Sequence, residues 1–125
     1  MRINTTLMRN LAVLALLAVL AGIFIGGTMP GAGNLFSDPW DKVAHFIAFA
    51  GITLLAGISL PNRSLTLVFL LAVSFGVADE VHQLFIEGRQ AGLGDLTADI
   101  LGALFALPFI AALRRYTDKQ QLQMQ

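Results

Sequence analysis

Residues 11–27 read LAVLALLAVLAGIFIGG, an almost wholly aliphatic run inside a longer stretch, Arg9 to Asp38, with no charge between its ends. A helix rises about 1.5 Å per residue, so roughly 20 apolar residues cross the core of a bilayer. This stretch meets that length. A helix on a soluble domain shows a polar face at helical period, and neither residues 11–27 nor residues 65–78 show one. The basic start, Arg2 and Arg9, also suits a cleavable signal peptide. That alternative is weaker, because the run is long for a signal peptide and no clean small-x-small cleavage site follows. Three further apolar segments come after it, so a membrane span is expected.

The second segment opens at Ser37-Asp38-Pro39-Trp40-Asp41. Asp38 is expected as N-cap, Pro39 at the first helical position and Asp41 as a capping-box carboxylate. The run from Val43 to Leu60 stops at Pro61-Asn62 and holds one ionisable group, His45. Ser64 reads as the cap of a third segment that continues through Asp79-Glu80-Val81-His82-Gln83 to Phe85. A fourth starts near Gly94-Asp95 and reaches Leu113, with Pro108 placed late, where membrane helices tolerate a kink. The expected fold is all-α: an integral membrane four-helix bundle with approximate spans 8–27, 41–60, 65–85 and 95–113, joined by short loops. It forms a single domain over residues 1–116, followed by a polar, frayed tail over 117–125. Composition agrees with this. Of 125 residues 56% are hydrophobic and only 13% charged, about half the charged share of a soluble domain. A disordered chain, a nucleic-acid binder and, with no cysteine, a disulfide scaffold are excluded.

Lys+Arg and Asp+Glu both number 8, and the neutral sum hides a partition. Arg2, Arg9, Arg63, Arg114, Arg115 and Lys119 flank one set of helix ends; Lys42 and Arg89 flank the other. Basic residues mark the cytoplasmic side, so both termini are expected there. Asp38, Asp41, Asp79, Glu80, Glu87, Asp95 and Asp99 then fall on the outer side, and only Asp118 inside.

The same geometry brings the polar helix ends to one membrane level. Asp41 and His45 are spaced i,i+4, Glu80 and Gln83 i,i+3, Asp95 and Asp99 i,i+4, each pair on one helix face. Asp99 continues into Gly102 and Ala106, a small-residue ridge that lets another helix approach closely. Ionisable groups at membrane depth face a bundle interior or a wet cavity. So many acids cannot all carry charge together without counter-charges, so protonation or a bound cation is expected. The starts of the second and fourth helices add partial positive charge. They could hold a phosphate, or be capped by Asp38, Asp41 and Asp95. Milder readings stand beside these. Asp41 is equally a cap, His45 a satisfied buried histidine, and Lys42 a side chain snorkelling to the interface. Trp40 is an interfacial anchor, while Asp79 and His82 are expected in solvent. Gly22 and Gly26 suit a contact inside the bundle better than a dimer face.

Asp41-Lys42-Val43-Ala44-His45, Glu80-Val81-His82-Gln83, Arg89 and Asp95-Leu96-Thr97-Ala98-Asp99-Ile100-Leu101-Gly102 together resemble the VanZ-like family of small bacterial membrane proteins. That family's pattern is Asp-Lys-x-x-His, Glu-x-x-Gln, an Arg, then Asp-x-x-x-Asn-x-x-Gly. The resemblance covers residues 41 to about 106. Asp99 stands where Asn is commoner, and Gly92 where Ser is frequent. The resemblance implies a multi-pass protein of the bacterial plasma (inner) membrane. It also implies a place in the cell envelope and a link to glycopeptide (teicoplanin-type) antibiotic resistance, without a defined molecular activity.

Three functions compete. In the first, Asp41, Lys42, His45, Glu80, Gln83, Arg89, Asp95 and Asp99 form a pocket for an anionic envelope lipid or a lipid-linked cell-wall precursor. In the second, a membrane-embedded enzyme acts on a lipid-linked phosphate, with His45 and Glu80 as acid and base. Asp95 or Asp99 would then orient or bind a metal, Mg²⁺ or Mn²⁺ suiting the oxygen-rich set better than Zn²⁺. No nucleophilic Cys, H-E-x-x-H, Walker loop or G-x-S-x-G supports that chemistry. The third is an ion or proton path in a homo-oligomer, for which the inner helix ends lack matching acids. A scaffold without a ligand is the remaining alternative.

Overall fold

A computed structural model describes residues 4–123. Its four long helices are α1 (Thr5–Phe24), α2 (Trp40–Ser59), α3 (Leu65–Gln83) and α4 (Leu93–Leu122). All four are long and apolar enough to cross a membrane, and no strand occurs among the described residues. The chain is a multi-pass, all-helical membrane protein. Arg2, counted in the charge partition, lies outside the described residues.

Local signals explain most boundaries. The Asn4 side chain accepts from Leu7 N–H at 3.0 Å and the Ser64 hydroxyl from Leu67 N–H at 3.1 Å, so both cap helix starts. Asp38 does not. The Ser37 carbonyl takes the first amides of α2, Trp40 N–H at 2.7 Å and Asp41 N–H at 3.3 Å. The Asp38 carboxylate instead holds Lys42 Nζ at 2.5 Å. Nor does Asp41 reach back as a capping-box acid; it accepts from Lys42 N–H at 2.8 Å. The tail expected to fray from residue 117 is helical as far as Leu122, with residues 124 and 125 outside the described residues, and Pro108 does not interrupt α4. The first connection is longer than expected. Residues 25–39 make two single 3₁₀ turns, Gly26–Thr28 and Ala32–Asn34, with Gly31 left-handed at φ 82° between them.

Helices α2 and α4 run parallel and form the most extensive helix–helix contact of the bundle. A Cβ on Gly102 would collide with the Phe46 carbonyl, and one on Gly57 would lie 2.6 Å from Ile110. The ridge read from Gly102 and Ala106 therefore meets α2. Small residues dominate because lipid is as apolar as leucine, so close backbone approach, not hydrophobicity, joins the helices. Helix α3 runs antiparallel to both. Ala56, Val68 and Ile110 form the apolar core, flanked by Leu16, Leu54, Leu65 and Leu107. That core lies away from the polar helix ends. Helix α1 leans chiefly on α2 and buries only Ala12. A Cβ on Gly22 or Gly26 would meet nothing within 4 Å, so neither marks a close helix–helix approach among the described residues.

At the end opposite the acids, Arg114 organises the α2–α3 turn. Its guanidinium donates to the carbonyls of Gly57 (3.1 Å), Leu60 (2.9 Å) and Arg63 (2.7 Å). These belong to the end of α2 and the turn after it, where backbone acceptors lack helical partners.

Candidate functional site

Helices α2 and α4 start, and α3 ends, at the same face of the bundle, where they surround a cavity of about 550 Å³. Its polar lining includes Asp41 and His45 from α2, Asp79 and Gln83 from α3, Arg89 from the following turn and Asp95 from α4. The 25–39 connection closes over it. A Cβ on Gly33 would lie 2.7 Å from the Gly88 carbonyl and 3.1 Å from Arg89 Cδ, so the two loops touch.

The i,i+4 spacings place their side chains as read. His45 faces α4, its Nδ1 2.8 Å from Asp99 Oδ1 and its Nε2 3.9 Å from Asp95 Oδ2. Asp99 is 0% exposed. Gly76 of α3 makes room for it, since a Cβ there would sit 3.0 Å from Asp99 Oδ2. An ionised Asp99 can only accept, so His45 then carries a proton on Nδ1, and in the neutral ring Nε2 keeps its lone pair.

Glu80, 9% exposed, lies behind the cavity, where Gly92 N–H donates to its Oε2 at 2.6 Å. Its Oε1 is buried without a hydrogen-bond partner, as is Asp99 Oδ2. Glu80 therefore holds the amide just before α4, and Asp41 holds an amide in the first turn of α2. The anion-binding potential of both helix starts is already engaged by carboxylates, one of them from α3 rather than from the helix itself.

A model of the VanZ/LLP1 family matches residues 2–114. The chain belongs to the VanZ/LLP1 family. No curated protein and no solved structure matches it. The motif residues of this VanZ/LLP1 chain, scattered over residues 41–102, lie together at one end of the bundle.

Two sequence expectations change. Asp79 is not in solvent: it is 3% exposed, and Gln83 Nε2 donates to its Oδ2 at 3.0 Å. The interacting pair at the end of α3 is thus Asp79 with Gln83 at i,i+4 rather than Glu80 with Gln83, and that spacing is visible in the sequence. His82 is half-buried, its ring 5.4 Å from that of Phe24 on α1. The Lys42 ammonium, on a side chain 43% exposed, reaches Asp38 and Asp41 at 3.4 Å, with Asp95 at 4.0 Å. Arg89 makes no ion pair among the described residues and is the cation that lines the cavity. Trp40 stands exposed at the first residue of α2, as an interfacial anchor would.

Proposed function

We propose that this VanZ/LLP1 protein binds the polar head of an anionic envelope lipid, or of a lipid-linked cell-wall precursor, in the cavity. One observation carries this reading. The polar cavity adjoins an apolar groove of about 540 Å³ along α2, and the two share Phe36, Ala44 and Ala48. Trp40, Val43 and Ile47 complete the groove. A head in the cavity and an acyl chain in the groove describe one amphiphile. Arg89 takes the phosphate, and Asp41, Asp79 and Asp95 take hydroxyl or amine groups. The charge partition supports a bacterial inner-membrane protein with cytoplasmic termini and an outward-facing cavity. Capture of a cell-wall precursor on that side would connect this chemistry to teicoplanin-type resistance.

Native mass spectrometry of gently extracted protein tests the reading. An anionic lipid adduct is expected on the wild type. Loss of a charge-assisted contact in Arg89→Ala should weaken it at least about tenfold, and Ala48→Phe, which fills the groove, should also weaken it. Equal adducts on all three proteins, or none on the wild type, would overturn the proposal.

The His45–Asp99 pair favours a second reading, an acid/base enzyme acting on a lipid-linked phosphate. With Nδ1 held by Asp99, Nε2 would take the proton of a water attacking phosphorus. It would return that proton to the lipid oxygen as the P–O bond breaks. Phosphate release that disappears in His45→Ala supports this reading, and absence of turnover by the wild type ends it.

A further inference from the structure

Burying carboxylates is costly unless a counter-charge compensates, and at this end the protein's own cations do not suffice. Lys42 is committed to Asp38 and Asp41, while Arg89 pairs with no acid among the described residues. Behind and beside the cavity, His45, Asp79 and Glu80 each offer a ligand atom, and these atoms lie within 4.8 Å of one another.

One polar atom of each of these residues is already tied. His45 Nδ1 bonds Asp99 at 2.8 Å, Asp79 Oδ2 accepts from Gln83 at 3.0 Å, and Glu80 Oε2 accepts from Gly92 N–H at 2.6 Å. His45 Nε2, Asp79 Oδ1 and Glu80 Oε1 carry no hydrogen bond among the described residues. The last belongs to a side chain more than nine-tenths buried and has no partner at all. One atom fixed by an outer partner and the other left for the ion is how protein metal ligands are held, the carboxylate–histidine–metal arrangement included.

The geometry points to a divalent-cation site formed by His45, Asp79 and Glu80, with Asp99, Gln83 and the Gly92 amide holding the three ligands in place. One imidazole nitrogen with two carboxylate oxygens suits Mn²⁺. Carboxylates select Mg²⁺, Ca²⁺ and Mn²⁺, but Mg²⁺ is usually bound through carboxylates, phosphates and water rather than imidazole. Asp79 therefore takes the ligand place that the sequence assigned to Asp95 or Asp99, and Asp99 becomes a positioning residue for His45. His45 and Asp79 both line the cavity, so open coordination positions face it. On the headgroup reading, a phosphate oxygen would fill one of them.

Electron paramagnetic resonance of the full chain, delipidated in detergent and titrated with Mn²⁺ alone, tests the site. The expected results are loss of the free-ion signal up to one ion per chain and nitrogen-14 coupling to the bound ion. Affinity should fall by about 10–100-fold in Asp99→Asn, which removes an outer partner, and at least as far in Glu80→Gln. Asp38→Asn, outside the cluster, should bind as the wild type does. The nitrogen coupling is read on the wild type, so a poorly folding variant leaves the test intact. No stoichiometric binding, or bound Mn²⁺ without nitrogen coupling, overturns the site. Failure here with a lipid adduct in mass spectrometry removes the metal and leaves the headgroup reading. Mn²⁺ binding without a lipid adduct does the reverse.

Discussion

His45, Asp79 and Arg114 show how a single residue's meaning depends on what stands across from it. His45 and Asp99 were each legible, being one turn inside their helices, on faces already marked by Asp41 and Asp95. Asp79 adjoins Glu80, and neighbours on a helix point about 100° apart, so helical period places the two on different faces. Both are nevertheless buried. The end of α3 is enclosed by α4 on the Glu80 side and borders the cavity on the Asp79 side. Arg114 counted only as one more basic residue, yet it ties three backbone carbonyls. Hydrogen bonds to a charged group contribute about 1.5–3 kcal/mol. Arg114→Ala should therefore lower unfolding stability in detergent by roughly that amount. Arg114→Lys should recover only part, because a single ammonium lacks the guanidinium fork. An Arg114→Ala protein as stable as the wild type would show the contacts to be incidental.

At the scale of elements, the helix spans followed from length and hydropathy, and three of the four starts fell within about a residue or two of their sequence signals, the usual uncertainty of helix ends. The start of α1, the long 25–39 connection and the continuation of α4 to Leu122 were not legible. Turn chemistry at several glycines is compatible with many paths, and a polar helical turn resembles a frayed one in composition. Glycines carried the packing information unevenly. Gly102 sits against the α2 backbone, whereas Gly22 meets nothing. Gly102→Leu should separate α2 from α4 and unfold the protein at a markedly lower temperature. It should also displace His45 from Asp99, since those side chains belong to the same two helices. Gly22→Ala should be neutral or stabilising by up to about 1 kcal/mol, because it removes helix-interior glycine without a clash. Thermal unfolding of the two variants beside the wild type checks both outcomes.

For the whole molecule, the prediction concerns sidedness. The protein has no cysteine, so an introduced thiol reports alone. Asn62 and Glu87 lie exposed in the turns at opposite ends of the bundle. With cytoplasmic termini, Glu87→Cys in intact cells should react with a membrane-impermeant thiol reagent and Asn62→Cys should not. The inverse pattern would reverse the orientation and place the cavity inside. The sequence by itself determined the number of spans and the end at which the polar residues gather. A bilayer imposes a span length, and each successive crossing reverses direction, so one-dimensional order already sorts residues by level. Only the tertiary structure decided that α2 and α4, separated in the chain by α3, form the main contact. It also decided that His45 meets a carboxylate 54 residues away and that Asp79 points inward. Those outcomes depend on how each helix is rotated about its own axis. In lipid no hydrophobic gradient marks the inner face, so that rotation is set by where backbones can approach and buried polar atoms find partners.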